Sequence, residues 1–250
     1  MTVSADMAYA RLAKAHLARA EGFRQCDDRT LQALVDGGVI QRASRGTWIC
    51  RRNDPFEELC LIVEGVLESS LRLDATRRHL VAYSAAGDVL GLVCCIDRKP
   101  APHDIQAHSE AILLRIPVSV INRYRAVDPA LLRAFELQLA ARARQFYDRL
   151  SEALLLPFEA RLARRLLELV AKFGVERESR TRIVLRVPQS DLADLLGSSR
   201  QRVNQALKSF EARGFLSLGH SSIEAIDVAM LRQEAAGMVA PESTGEARNA

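Results

Sequence analysis

Between residues 39 and 116 the hydrophobic positions come in short runs, VIQRAS, TWICRR, LCLIVEGVLESSLRL, HLVAYS and AILLRI, set apart by Gly, Pro and Asp. Runs this short, closed by turn-forming residues, predict β-strands folded into a barrel or jelly roll. On either side the hydrophobic period lengthens to that of a helix. ADMAYARLAKAHLARA (5–20) predicts an amphipathic helix, and DDRTLQALVDGG a second one, with Asp27 or Asp28 as N-cap and Gly37-Gly38 as the stop.

PVSVINRY (117–124) opens a helical turn at a proline, and a long helix follows from Pro129 to about Leu156, where Pro157 stops or kinks it. Leu132, Phe135, Leu139, Phe146, Leu150 and Ala153 mark one side at helical spacing, with Arg142 interrupting the stripe. A helix of about 28 residues is too long for a small domain to cover, which predicts a second copy of the chain as its partner rather than a helix lying along its own barrel. PFEARLARRLLELVAKFG predicts another amphipathic helix ended by Gly174, VERESRTR an exposed charged loop, and RIVLRVP a short strand.

The strand leads into QSDLADLLGSSRQRVNQALK (189–208). Ser190 or Gln189 starts a helix whose inner face is Leu192, Ala193, Leu195 and Leu196, and Gly197 permits a sharp turn. Ser198 or Ser199 then caps a second helix, on which Val203, Ala206, Leu207 and Phe210 share one face. Two helices joined so tightly must cross and share that apolar seam. Opposite it lie Gln201, Gln205 and Lys208, with Arg202 and Asn204 on the flanks and Arg200 at the exposed first turn. Arg offers two donors to guanine, and Gln or Asn bonds adenine bidentately, so this set is able to read base edges. After Gly214, FLSL, a turn at Gly219, His220 and Ser221, and SIEAID predict a β-hairpin wing, with His220 at its tip; the small, polar tail GMVAPESTGEARNA predicts disorder.

Charge supports that assignment. Residues 157–220 hold 12 Arg and Lys against 7 Asp and Glu, whereas the rest of the chain holds 23 against 24. The whole positive excess surrounds the helical pair, which suits a polyanion. Five cysteines at irregular spacing (Cys26, Cys50, Cys60, Cys94, Cys95) predict buried, reduced thiols rather than a disulfide framework. The first 25 residues lack an uninterrupted apolar core, and the run VLGLVCCI is far too short for a bilayer, so a cytoplasmic location with no membrane partner is expected. Without a P-loop, GxSxG, HExxH or dinucleotide glycine pattern, no catalytic set and no metal set is assigned and an enzyme is not expected.

The order of parts, with QSDLADLLGSSRQRVNQALKSFEARGFL as its most specific stretch, resembles the cyclic-AMP receptor protein and FNR family of bacterial transcription regulators from about Phe23 to Arg232. The resemblance implies an α+β fold: an N-terminal helical extension (1–22), a double-stranded β-helix or jelly-roll sensor domain (23–127), a dimerisation helix (128–156), a winged helix-turn-helix (157–236) and a disordered tail (237–250). It implies a homodimer on a pseudo-palindromic DNA site, with RNA polymerase as a further partner. The base-contacting positions match Arg200, Gln201 and Gln205 in the receptor protein's pattern, and Gln201, Asn204 and Gln205 in that of FNR. Gln201 stands where the receptor pattern has Glu and Gln205 where it has Arg, so the half-site is expected to differ from both. The DNA-contacting set is thus Ser199, Arg200, Gln201, Arg202, Asn204, Gln205 and Lys208.

Cyclic-nucleotide binders of this family carry a Gly-Glu pair and, some ten residues on, an Arg-Ser/Thr-Ala. Here Leu92 stands in place of the Glu, and Ala101, Pro102 and His103 offer no arginine; Arg98 and Lys99 are out of register. A phosphate without a paired cation is costly to bury, so cyclic AMP is not expected in the usual way. Phe146 and Tyr147 of the long helix are expected to narrow the same cavity. Iron–sulfur sensing needs a cluster of N-terminal cysteines, and only Cys26 lies there. Haem ligation by His79, His103, His108 or a cysteine and thiol sensing by Cys94 or Cys95 have no supporting motif, so effector and cofactor stay unassigned. The competing reading is a small-molecule or redox sensor whose helical end contacts proteins rather than DNA.

Overall fold

A computed structural model describes residues 2–74, 77–177, 180–219 and 223–237. The chain divides into two units, Met1–Tyr147 and Asp148–Ala250.

The first unit opens with α1 (Thr2–Arg19), a 3-10 turn (Phe23–Gln25) and α2 (Asp28–Asp36), whose cap is settled as Asp27, its carboxylate accepting from the Arg29 N–H at 2.8 Å. Then come β1 (Val39–Ala43), β2 (Trp48–Cys50), β3 (Glu58–Glu64), β4 (Val66–Arg72), β5 (Arg78–Ala85), β6 (Val89–Leu90), α3 (Leu92–Asp97), β7 (Asp104–Ala107), β8 (Ala111–Pro117) and α4 (Val118–Arg125). α5 (Pro129–Leu155) follows, close to its expected extent. The strands form two four-stranded antiparallel sheets, β1-β8-β3-β6 and β2-β7-β4-β5, the jelly roll expected of the short runs.

The central strands of the first sheet, β3 and β8, are buried on both sides, and their period-two alternation sorts the residues. Leu59, Leu61 and Val63 of β3, with Ile112, Leu114 and Ile116 of β8, face a layer made by Leu17, Leu34, Ile121, Leu131 and Phe135 of the helices. Cys60 and Ile62, with Ala111 and Leu113, face the roll interior beside Cys50, Phe56, Leu67 and Ile105. The rings of Phe23 and Phe135 meet at 6.2 Å in the helix layer. Removing such a ring costs about 3–5 kcal/mol.

The pattern missed β6, α3 and β7, because VLGLVCCI reads as one apolar run. Gly91 divides it: at φ 81° the chain turns, and a Cβ there would lie 2.3 Å from the Glu58 carbonyl oxygen, so strand and helix meet at a residue that only glycine can fill.

The second unit contains the end of α5, α6 (Phe158–Phe173), β9 (Gly174–Arg177), β10 (Arg180–Ile183), α7 (Gln189–Leu196), α8 (Arg200–Ala212), β11 (Leu216–Leu218), β12 (Ile223–Ile226) and α9 (Val228–Ala235). Its sheet runs β11-β12-β10-β9. The stretch expected as an exposed loop is therefore a hairpin, in which Thr181 pairs with Glu176 and Arg182 with Val175. The strand expected over 182–188 ends at Ile183; the Val184 N–H instead donates to the Phe173 carbonyl at 2.9 Å. α9 was not foreseen, although Asp227 caps it by accepting from Ala229 and Met230 at 3.0 Å. Across Pro157, Glu152 of α5 is gripped by Arg164 at 3.0 Å and by Arg165, which is 6% exposed and also bonds Glu168 at 2.7 Å. The wing tip at His220 and the tail from 238 onward lie outside the described residues.

Candidate functional site

α7 does not start with a side-chain cap on Ser190 or Gln189. The Pro188 carbonyl accepts from Asp191 at 3.0 Å and Leu192 at 3.1 Å, and Ser190 falls in the first turn. A proline holds its φ near the helical value and leaves its carbonyl free to open the helix. At the other end Gly197 takes the left-handed conformation, φ 59° and ψ 43°, which an L side chain adopts only at a cost. The Ser198 N–H returns to the Ala193 carbonyl at 2.9 Å. Ser199 then caps α8, its hydroxyl oxygen accepting from the Arg202 N–H at 3.2 Å.

The seam contains Leu192, Ala193 and Leu196 of α7 and Val203, Ala206, Leu207 and Phe210 of α8, all buried. On the far side of α8, Arg200, Gln201, Arg202, Gln205 and Lys208 are exposed and Asn204 is half-buried, where Gln189 donates to its amide oxygen at 3.5 Å. One face of a single helix thus presents guanidinium, amide and ammonium groups together. A recess of about 290 Å³, lined among others by Gln189, Ser190, Arg200 and Gly219, lies between the starts of both helices and the wing.

Two supports of α8 escaped the sequence reading. Arg161 of α6 donates to the Leu196 carbonyl at 2.8 Å, satisfying the end of α7. Phe158, the first residue of α6, lies 4.4 Å beneath the Arg202 guanidinium. An aromatic directly after the helix-breaking Pro157 was the available signal. The wing is tied to α8 by the Leu218 N–H donating to Glu211 at 2.9 Å, and the rings of Phe210 and Phe215 meet at 5.3 Å.

In the first unit, the roll encloses a cavity walled by Cys50, Phe56, Leu92, Cys94, His103 and Arg142, with Ala101 and Pro102 also at its edge. Leu92, Ala101, Pro102 and His103 therefore come together as expected. Phe146 and Tyr147 do not join them; they are 65% and 66% exposed, with their rings against each other at 6.3 Å. One turn before Phe146, Arg142 reaches the cavity instead and donates to the Val89 carbonyl at 2.5 Å. Burial lowers its pKa, partly offset by Asp88; burial and the Arg142 charge together lower that of His103.

The cavity holds about 40 Å³, room for a water molecule, whereas small-molecule sites run to about 300–1,000 Å³. A cyclic nucleotide is larger than the space this cavity leaves. Its phosphate would need a cation, and the one at hand, Arg142, already bonds a backbone carbonyl.

His108 is held by Glu68 at 3.1 Å, with its ring edge-on to Tyr83 at 4.7 Å. All five cysteines are buried and unbridged. Burial is the main cause that pushes the thiols of Cys50, Cys60 and Cys95 up to about 12 and that of Cys26 up to about 11, and it raises that of Cys94 as well.

The sequence profile of the cyclic nucleotide-binding domain matches residues 40–127, and that of the Crp-like helix-turn-helix domain residues 160–234. The "CRP-like cAMP-activated global transcriptional regulator" of Mycobacterium tuberculosis is 25% identical over 219 residues, 88% of this chain and 98% of that protein. Among solved structures, FixK2 from Bradyrhizobium japonicum superposes with a TM-score of 0.70 at 20% identity, covering 81% of this chain and 99% of that one. The c-di-GMP responsive global regulator CLP from Xanthomonas campestris gives 0.69 at 21% identity, covering 80% and 100%. At these identities the two structures bear on the fold alone.

Proposed function

The chain belongs to the Crp/Fnr family of DNA-binding transcription regulators, and we propose that two copies, paired through α5, each place α8 in the major groove of one half of a pseudo-palindromic site. The observation that carries this reading is the division of α8: Val203, Ala206, Leu207 and Phe210 are buried while Arg200, Gln201, Gln205 and Lys208 stand in solvent. Arg200, Gln201 and Gln205 read base edges, and Asn204 assists from the flank. Ser199, Arg202 and Lys208 serve the phosphates, which set affinity and register.

Pairing through α5 is supported by what that helix leaves uncovered. Phe146, Tyr147, Leu150, Leu154 and Leu155 are 65%, 66%, 48%, 76% and 79% exposed, an apolar concentration that a lone soluble helix does not keep. RNA polymerase is the further partner this family membership suggests. No helix among the described residues is long and apolar enough to cross a membrane. We assign no reaction to the chain and no cyclic nucleotide to its sensor domain.

Selection of binding sequences from random duplexes, at stated salt because phosphate contacts dominate affinity, tests the reading. It is expected to yield two half-sites about one helical turn, 34–36 Å, apart. A pool that shows no preferred sequence sinks the proposal and favours a sensor acting through protein contacts.

A further inference from the structure

The stripe of apolar residues along α5 is broken by Arg142, and the fold shows where that side chain goes. It leaves the helix, enters the roll cavity beside Cys94 and His103, and its guanidinium donates to the Val89 carbonyl at 2.5 Å. Asp88, next to Val89, adds an opposing charge. The half-buried side chain is tethered by that hydrogen bond, and what remains of the cavity is about 40 Å³.

We propose that Arg142 is a built-in occupant of the sensor cavity: it takes the place of a diffusible effector, and by joining α5 to β6 it keeps the first unit in one closed form with no small molecule bound. The cavity walls come from α3, from the turn before β7 and from β2, and they close on a side chain delivered by α5. A ligand with that role would have to bridge the roll and the long helix. Arg142 bridges them covalently at one end and by hydrogen bond at the other. α5 runs on from the first unit into the second, and on this proposal order at Arg142 is felt along that helix by the DNA-binding segment.

The inference rests on the DNA-binding reading only for its second measurement. First, cyclic AMP and cyclic GMP are titrated calorimetrically into the wild-type protein up to about 1 mM; no saturable heat and no change in melting temperature is expected. Second, affinity for a selected duplex is measured for the wild type and for Arg142→Ala, Arg142→Met and Arg142→Lys. The alanine and methionine variants are expected to lose about tenfold or more, the lysine variant less. Methylguanidine at about 10 mM is expected to restore part of the affinity and the melting temperature of Arg142→Ala, since it replaces the missing group in the opened cavity, and to leave the wild type unchanged. Saturable nucleotide binding by the wild type overturns the proposal, as does an Arg142→Met protein, folded by circular dichroism, that binds the duplex as tightly as the wild type. If the wild type selects no duplex, the DNA-binding reading fails. The nucleotide titration and the methylguanidine-dependent melting temperature of Arg142→Ala then decide about Arg142 by themselves.

Discussion

The guanidinium carbon of Arg202 sits over the ring of Phe158, 4.4 Å from its centre, while the residue as a whole stays exposed. A guanidinium stacked in this way is pre-oriented for an oxygen approaching in its plane. Arg202→Ala is expected to weaken binding to all duplex sequences alike and to reduce the salt slope of log K by about 1, the mark of one lost phosphate contact. Filter-binding titrations at several salt concentrations measure both; a changed base preference would instead make Arg202 a base reader.

Gln205 stands exposed at the middle of the outward face of α8. Replacing it by Ala is expected to relax base choice at one position of each half-site by about 1–3 kcal/mol, leaving the other positions as they were. Repeating the selection with the variant and comparing the base frequencies, position by position, checks this.

Glu152 holds two arginines of α6, one of them buried. Arg165 also bonds Glu168, so removing Glu152 takes away one of its two carboxylates rather than leaving it unpaired, and the cost is that of lost charged hydrogen bonds, about 1.5–3 kcal/mol. Glu152→Ala is expected to lower the unfolding free energy of the second unit by that amount in urea titrations, whereas Arg164→Met, whose side chain is 37% exposed, lowers it far less.

Glu68 lies between Arg78 at 2.7 Å and His108 at 3.1 Å. Burial pushes its carboxyl up, but the His108 hydrogen bond and the Arg78 charge outweigh that, and its pKa is lowered. Its contribution to stability is therefore complete above about pH 4.3, the usual glutamate value, and is lost as the pH falls through the lower folded value. Glu68→Gln is expected to be less stable than the wild type at neutral pH and to lose less on acidification, as followed by melting temperature from pH 7 to pH 3.

With Cys50, Cys60 and Cys95 pushed up to about 12 by burial, almost no thiolate is present near neutrality, and thiolate is the reacting form. Ellman's reagent at pH 8 is expected to titrate these thiols only after denaturant is added; rapid reaction in the folded protein would bring a redox role back.

The strands of the roll and the length of α5 were legible because Gly, Pro and Asp punctuate one, and helical spacing runs through the other between Pro129 and Pro157. The hairpin of β9 and β10 was not, since Arg180 pairs with Arg177 and Thr181 with Glu176, and charged pairs of this kind lack the apolar alternation by which a strand is recognised. The outward set on α8 could be laid out from spacing alone, because a helical face is a local property. Arg142 was visible only as a blemish on a stripe. Its cavity is walled by residues from Cys50 to Ile105, far away in sequence, and no window along the chain contains both. α7 starts at Gln189, one of the two starts read from the sequence, but what opens it was missed for a simpler reason: the capping preference of Ser was weighed and the carbonyl of Pro188 was not.

Leu113 and Leu114 are neighbours on β8, yet one belongs to the roll interior and the other to the helix layer around Phe135. The strand is in effect a party wall. Crowding or emptying either room bows it toward or away from the other, so the volume inside the roll and the seating of α5 form one mechanical variable, and a substitution made on one side should be met by compensation on the other.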